Sequence, residues 1–282
     1  MPRRRTRTSR APRTVGGAAL LAAAAAPLGA QRVVLRIHPQ VGDTIHMQMD
    51  QVTEMTGSRR EGGDTTTVTS KRVTARAIVR KVDAQGATVL AVTDSISVEG
   101  GRAGAEDRAR REMNGRQVTL RIAADGSMDL QGDDARDAAP ELRGLFASMP
   151  STLPRDPVAV GETWHRAIPV PTVAGGGIRA GTMLRAVFTL DSLSREGGVA
   201  YISMRASLER EVPHDKLPPG ARFVTTGVLS GTMQVDRRRG WMTDSRTTVS
   251  VHSVATPPPG SRAEPLHFRM KVTQWLRAVD RR

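Results

Sequence analysis

The 282-residue chain contains no cysteine. That removes disulfide staples, thiolate zinc sites, iron–sulfur clusters, a cysteine nucleophile and a lipidated cysteine in one step. A folded body of about 250 residues hides roughly 70% or more of its unfolded surface, so it can stand without staples. Aromatic residues are nearly as scarce, with one Tyr, three Trp and four Phe. Nucleic-acid binding sets aromatic platforms between its cations, so no nucleic-acid partner is expected. Nor are there rings enough for the two interfacial girdles of an outer-membrane barrel, and the chain is not expected to span a membrane. Catalytic signatures are missing too: no G-x-S-x-G elbow, H-E-x-x-H helix, glycine-rich phosphate loop or Ser-x-x-Lys occurs. The chain therefore reads as a non-enzyme without cofactor or metal. The stretch DGSMDLQGDDAR (125–136) sets Asp125, Ser127 and Asp129 at alternate positions. As a calcium loop it fails, because Leu130 stands where the sharp-turn glycine belongs and Arg136 where the bidentate glutamate belongs. His214, Asp215 and Lys216 lie together between prolines and read as an exposed loop.

What is present begins with an address. Arg3, Arg4, Arg5, Arg7, Arg10 and Arg13 precede an apolar, alanine-rich run from Val15 to Ala26, and Leu28-Gly29-Ala30 offers a small residue for cleavage before Gln31. This order is that of a secretory signal peptide. A membrane span would need about 20 apolar residues, and this run is shorter and broken by Pro27. The expected product is a soluble periplasmic or secreted protein. Six of the 42 basic residues and none of the 28 acidic ones lie in residues 1–30, so the formal charge falls from +14 to +8 on cleavage. The rest are mostly scattered arginines and imply a generally basic surface.

Downstream, the dominant period is two. Apolar residues alternate with polar ones in Ala200–Leu208 and Leu266–Val272, and again in Val33–Ile37, Ile45–Met49, Val73–Val79, Val118–Ile122 and Phe223–Val235. Asp125-Gly126 and Arg239-Gly240 mark turns between strands. The fold expected is mainly β, a large curved antiparallel sheet or two β blocks with one short central helix. That helix is read at Pro140–Met149, where Leu142, Leu145, Phe146 and Met149 recur at helical spacing before Pro150. It divides a first block, residues 31–150, from a second, 151–282.

One phrase is written twice, VGDTIH at 41–46 and VGETWH at 160–165. It reads as a structural start signal opening each block, with Gly42 and Gly161 in equivalent turns and Trp164 buried where Ile45 is buried. The alternative makes His46 and His165 a symmetric pair at a ligand or metal site.

The stretch LPRDPVAVGETWH, through Pro154, Pro157, Val160, Gly161, Glu162 and Trp164, resembles the proline-rich connector and Gly-acid-x-Trp phrase of uncharacterised secreted bacterial proteins of mostly β structure. Such proteins are similar in layout to periplasmic lipoprotein carriers of the LolA and LolB type. That resemblance implies a curved antiparallel sheet holding an acyl chain against helices, although a single convincing helix is visible here. Two functions follow as expectations. In the first, an apolar sheet face rich in Met47, Met49, Met183, Met204, Phe268 and Met270 accepts a hydrophobic or amphiphilic small molecule, methionine being able to repack around varied shapes. The same residues could equally be core. In the second, the chain is a structural or interaction protein whose basic surface meets an anionic component of the cell envelope.

Overall fold

Successive side chains of a strand point to opposite faces, so strands with an apolar residue at every second position are stable when they share that face. In the computed structural model, which describes residues 32–58, 63–100, 104–132, 152–174, 177–211 and 219–279, they share it in one sheet rather than two blocks. The signal segment and the helix read at Pro140–Met149 lie outside the described residues. Residues 31–282 form one compact unit.

The first half of the chain supplies β1 (Thr44–Ser58), β2 (Asp64–Asp83), β3 (Gly86–Gly100), a helix α1 (Ala105–Met113), β4 (Gln117–Ile122) and β5 (Met128–Leu130). The second half supplies β6 (Thr163–Ala174), β7 (Gly177–Leu193), β8 (Val199–Glu211), β9 (Arg222–Asp236), β10 (Trp241–Thr256) and β11 (Leu266–Ala278). Their order across the sheet is β5-β4-β3-β2-β1-β11-β10-β9-β8-β7-β6. Every pairing is antiparallel and all but one join chain neighbours. The exception, β1 on β11, runs without a bulge from Met47↔Ala278 to Gly57↔Phe268 and joins the two halves. The order ends at β5 and β6, which are not paired with each other, so the sheet is not closed into a barrel. β5 is three residues long and β6 carries Pro169 and Pro171, with a ladder irregularity between Val170 and Pro171. Short strands and prolines suit edges, where a missing N–H breaks no ladder bond.

The core lies on one face and at one end of the strands. In the second half, Leu184, Ala186, Phe188 and Leu190 of β7 pack with Ala200 and Ile202 of β8 and Met233 and Val235 of β9. Trp164 stacks on Phe188 with ring centroids 5.7 Å apart. In the first half, Val79, Val89, Leu120 and Ile122 form a smaller cluster with Trp241. Two stretches outside the strands plug this end. Val33 (3% exposed), Leu35 (2%), Leu153 (1%) and Val158 join the larger cluster, and Ile37 packs against both. The alternation expected in Val33–Ile37 is real, since Val34 between the two buried residues is 50% exposed, but the pairing is a single bridge, Val33↔Val158. Beyond it the backbone bonds elsewhere: Ile37 N–H donates to Ala124 O at 2.8 Å and His38 N–H to Gly240 O at 2.9 Å. Full strand pairing is lost because the segment bridges two hairpin turns instead of following one neighbour.

α1 has no buried residue. Glu106 and Asp107 in its first turn and Arg110 and Arg111 in its last match the helix dipole, and Arg110 donates to Glu106 one turn away at 2.6 Å. The helix sits against β3 where β4 no longer pairs, and Asn114, just after it, accepts the Ile96 N–H at 3.1 Å.

Candidate functional site

The two copies of the repeated phrase fold into the same hydrogen-bonded turn. Gly42 has φ +93° and Gly161 φ +85°, a left-handed backbone that glycine adopts without the Cβ penalty. The Gly42 N–H donates to Val79 O and the Val79 N–H to Asp43 O, each at 2.9 Å. Gly161 donates to Leu190 O at 2.7 Å and Leu190 to Glu162 O at 3.1 Å. The acid side chain then reaches back three residues: Asp43 accepts the Gln40 N–H at 2.8 Å, Glu162 the Ala159 N–H at 3.0 Å. Each phrase thus locks the first strand of its half onto the second, and Ile45 and Trp164 enter the apolar face opposite Ala77 and Phe188. Trp164 is buried and Ile45 half-buried against the smaller cluster. Indole Nε1 of Trp164 donates to Thr152 O at 2.8 Å, and Arg32 forks onto Glu162 at 2.7 and 2.8 Å. His46 and His165 are not brought together, since five strands separate β1 from β6.

Beyond the plugged end the sheet runs on as a single layer whose faces differ. Register places Met47, Met49 and Met55 of β1 on the core-bearing face, with Leu276, Val272, Met270 and Phe268 of β11 and Val249 and Val251 of β10. Most of these are half-buried, Met55 is 37% exposed and Leu266 42%. Among the described residues no second layer covers them. Of the candidate lining residues, Met47, Met49, Phe268 and Met270 share this open stretch. Met204 shares the face but sits in the larger core cluster, 8% exposed, its methyl filling the space a Cβ on Gly231 would need. The Met183 side chain lies outside those described. Met55, Val249, Val251 and Val272 belong to the same surface and were not singled out from sequence, although the same two-residue step would have found them.

One cross-strand row interrupts the apolar surface. Lys71 of β2, Gln51 of β1, Gln274 of β11 and Thr247 of β10 lie side by side in register. On one side of them are Val73, Met49 and Leu276, and on the other Thr69, Thr53, Val272 and Val249. Lys71 is partly buried and makes no hydrogen bond or ion pair among the described residues. Burial pushes its ammonium below the ordinary lysine pKa.

The opposite face is polar and cross-linked. Asp50 accepts from Arg72 directly across the ladder at 2.5 Å and from Arg277 on the other side at 3.5 Å, while Arg277 lies over the Trp275 ring at 4.3 Å. Trp275 in turn donates to Asp244 at 2.8 Å, and Lys271 reaches Glu54 at 3.5 Å. Burial raises the Asp50 carboxyl, but hydrogen bonds from Arg72 and Gln48 and the charges of Arg72 and Arg277 outweigh it and hold the group below its usual value. Two shallow depressions, each about 460 Å³, are lined mainly from this face, one by Ser203, Arg205, Thr232 and Arg246, the other by Glu54, His252, Arg269 and Lys271.

No group of three or more His, Asp or Glu among the described residues could hold a metal ion. Asp125 accepts from Ser127 N–H at 3.2 Å and from its hydroxyl at 2.8 Å, which makes it a turn residue between β4 and β5. The loop with His214, Asp215 and Lys216 lies outside the described residues. No helix among the described residues is long and apolar enough to cross a membrane.

No protein-family model matches the sequence, and no curated protein matches it. Among solved structures, one similar chain is from a study of lipid–protein interactions in lipovitellin, at 8% identity and TM-score 0.49, with 86% of this chain and 26% of that one covered. Another is OccK2 (OpdF) of Pseudomonas aeruginosa, at 9% identity, TM-score 0.28 and coverages of 85% and 100%. A third is the COG4313 outer membrane channel of Pseudomonas putida F1, at 11% identity, TM-score 0.22 and coverages of 86% and 97%. The chain spans about a quarter of the length of the lipovitellin chain. With TM-scores below 0.5, these likenesses carry no ligand or partner over to this chain.

Proposed function

We propose that the chain is exported, loses residues 1–30, and binds a hydrophobic or amphiphilic ligand without covalent chemistry on the open stretch of its apolar face. The observation that carries this reading is the continuation of Met47, Met49, Met55, Met270 and Phe268 past the plugged end, half-exposed on a face that elsewhere is core. A packed core of this kind is normally covered, and leaving apolar surface in water costs about 25 cal/mol per Å². Methionine dominates the stretch, and its flexible thioether chain adapts to a guest of varied shape. Native mass spectrometry and lipid extraction of protein purified from its own host test the proposal. A retained acyl-bearing or other apolar molecule is the expected result, and repeated recovery of empty protein defeats it. Export has its own check. N-terminal sequencing of the exported fraction should begin at Gln31.

A second role has one observation in its favour. Arg205 and Arg246 line the same depression on the polar face, and neither forms an ion pair among the described residues. A basic surface of this kind suits an anionic envelope component. Salt-sensitive retention of the protein on anionic vesicles, lost in Arg205→Gln/Arg246→Gln, would favour this interaction over the apolar ligand.

A further inference from the structure

Among the described residues, the polar row across the apolar face makes no cross-strand side-chain hydrogen bond. Lys71, Gln51, Gln274 and Thr247 lie in adjacent strands at one level, and Gln51 turns its amide to Thr53 Oγ1 at 3.2 Å. Lys71 differs from the other half-buried cations of the strands. Arg277 meets Asp50 and Arg121 meets Asp83, both on the polar side, and Arg166 donates to Leu153 O at 3.1 Å. Lys71 alternates with Arg72 onto the apolar side and finds no carboxylate there. An ammonium held among apolar side chains without a counter-charge is costly, and burial already disfavours its charged form. The neighbours of the row are Val73, Met49 and Leu276 on one side and Thr69, Thr53, Val272 and Val249 on the other, so whatever brings a negative charge to Lys71 must also tolerate a largely apolar bed that Thr69 and Thr53 interrupt.

We infer that the row is a headgroup site: Lys71 takes the anionic oxygens of a single-chain amphiphile, Gln51 and Gln274 add hydrogen bonds, and the acyl chain lies along the Val272, Met270 and Phe268 stretch. This rests on the proposed apolar-ligand function and narrows it from hydrophobic molecules in general to those with a carboxylate or phosphate at one end. Lysine suits the task as a point charge with three donors that can follow either headgroup.

The test uses the full mature chain with dodecanoate, dodecyl phosphate and uncharged dodecanol, titrated by calorimetry below the concentrations at which each aggregates. Wild-type protein should prefer at least one anion over dodecanol by about tenfold, the size of one charge-assisted contact. Lys71→Gln should bring that anion to the dodecanol level while dodecanol itself is unchanged, and Lys71→Arg should keep the preference. Circular dichroism confirms that each variant has kept its sheet. Which anion gains separates a carboxylate from a phosphate site. Equal binding of all three by wild-type, or a preference that survives in Lys71→Gln, overturns the headgroup site and leaves the apolar face standing. Failure of wild-type to bind any of the three overturns the apolar-ligand function and this inference with it.

Discussion

Gly240 is the residue on which the plug's approach to the β9–β10 turn depends. Its φ is +59°, and a Cβ placed there would meet His38 Nδ1 at 2.5 Å and the His38 carbonyl carbon at 2.7 Å. Gly42 and Gly161 also have positive φ but open space around them. Gly240→Ala should therefore cost more than Gly161→Ala, by roughly 1–3 kcal/mol beyond the strain that both share, in urea denaturation. Lys71→Met points the other way. Replacing a desolvated, unpaired ammonium by an apolar chain of similar length should raise the unfolding free energy by about 1 kcal/mol, and thermal melting without ligand checks it. For Asp50 the sign follows from its lowered pKa in the folded chain. Its contribution to stability is present above the ordinary carboxylate value and lost as pH falls through the lowered one. Asp50→Asn should accordingly lose stability near neutrality and flatten the acid limb of the melting-temperature profile. Met47, Met49, Phe268 and Met270 were legible from sequence because a strict step of two needs no tertiary knowledge. Lys71 was not, since Lys71-Arg72 reads as a solvated basic pair until the Gln51 and Val98 partners fix which of the two turns inward.

Among elements, the repeated turn is the most transparent part of the chain. A glycine followed by an acid and a threonine carries its own geometry, namely positive φ, a back-reaching carboxylate and a strand start. Asp43→Ala should cost about 1 kcal/mol through the lost Gln40 N–H acceptor. Glu162→Ala should cost more, because Arg32 loses its forked partner in the same step. Chemical denaturation of the two variants side by side gives the comparison. α1 escaped the sequence reading for a physical reason. Its segment AEDRARREM has no apolar stripe, and its order comes from charge placement and from its position beside β3 rather than from a buried face. The strands were read at Val118–Ile122, Ala200–Leu208, Phe223–Val235 and Leu266–Val272, in part at Thr44–Ser58 and Asp64–Asp83, whose outer halves carry mostly Thr, Gln and charged residues, and not at Gly86–Gly100 or Gly177–Leu193, although both bear core residues.

For the molecule as a whole, the joining of two halves through β1 and β11 leaves two core clusters, and Ile37 of the plug packs against both. Leu35, 2% exposed, is one of the plug's fully buried side chains in the larger cluster, so Leu35→Ala should lose about 2–5 kcal/mol. If Ile37 couples the clusters as its contacts imply, wild-type protein should unfold in one transition by both tryptophan fluorescence and circular dichroism. Ile37→Ala should separate the two curves. The lateral limits of the sheet bear on survival in a crowded compartment. A ribbon of strands up to 20 residues long, apolar on one side, is a template on which further chains could pair indefinitely, and the three-residue β5 and the prolines of β6 are where that growth stops. Pro169→Thr/Pro171→Thr would restore two N–H donors to an edge strand. The expected consequence is a chain that still folds but seeds fibrils, detectable as thioflavin fluorescence under conditions where the natural sequence stays clear.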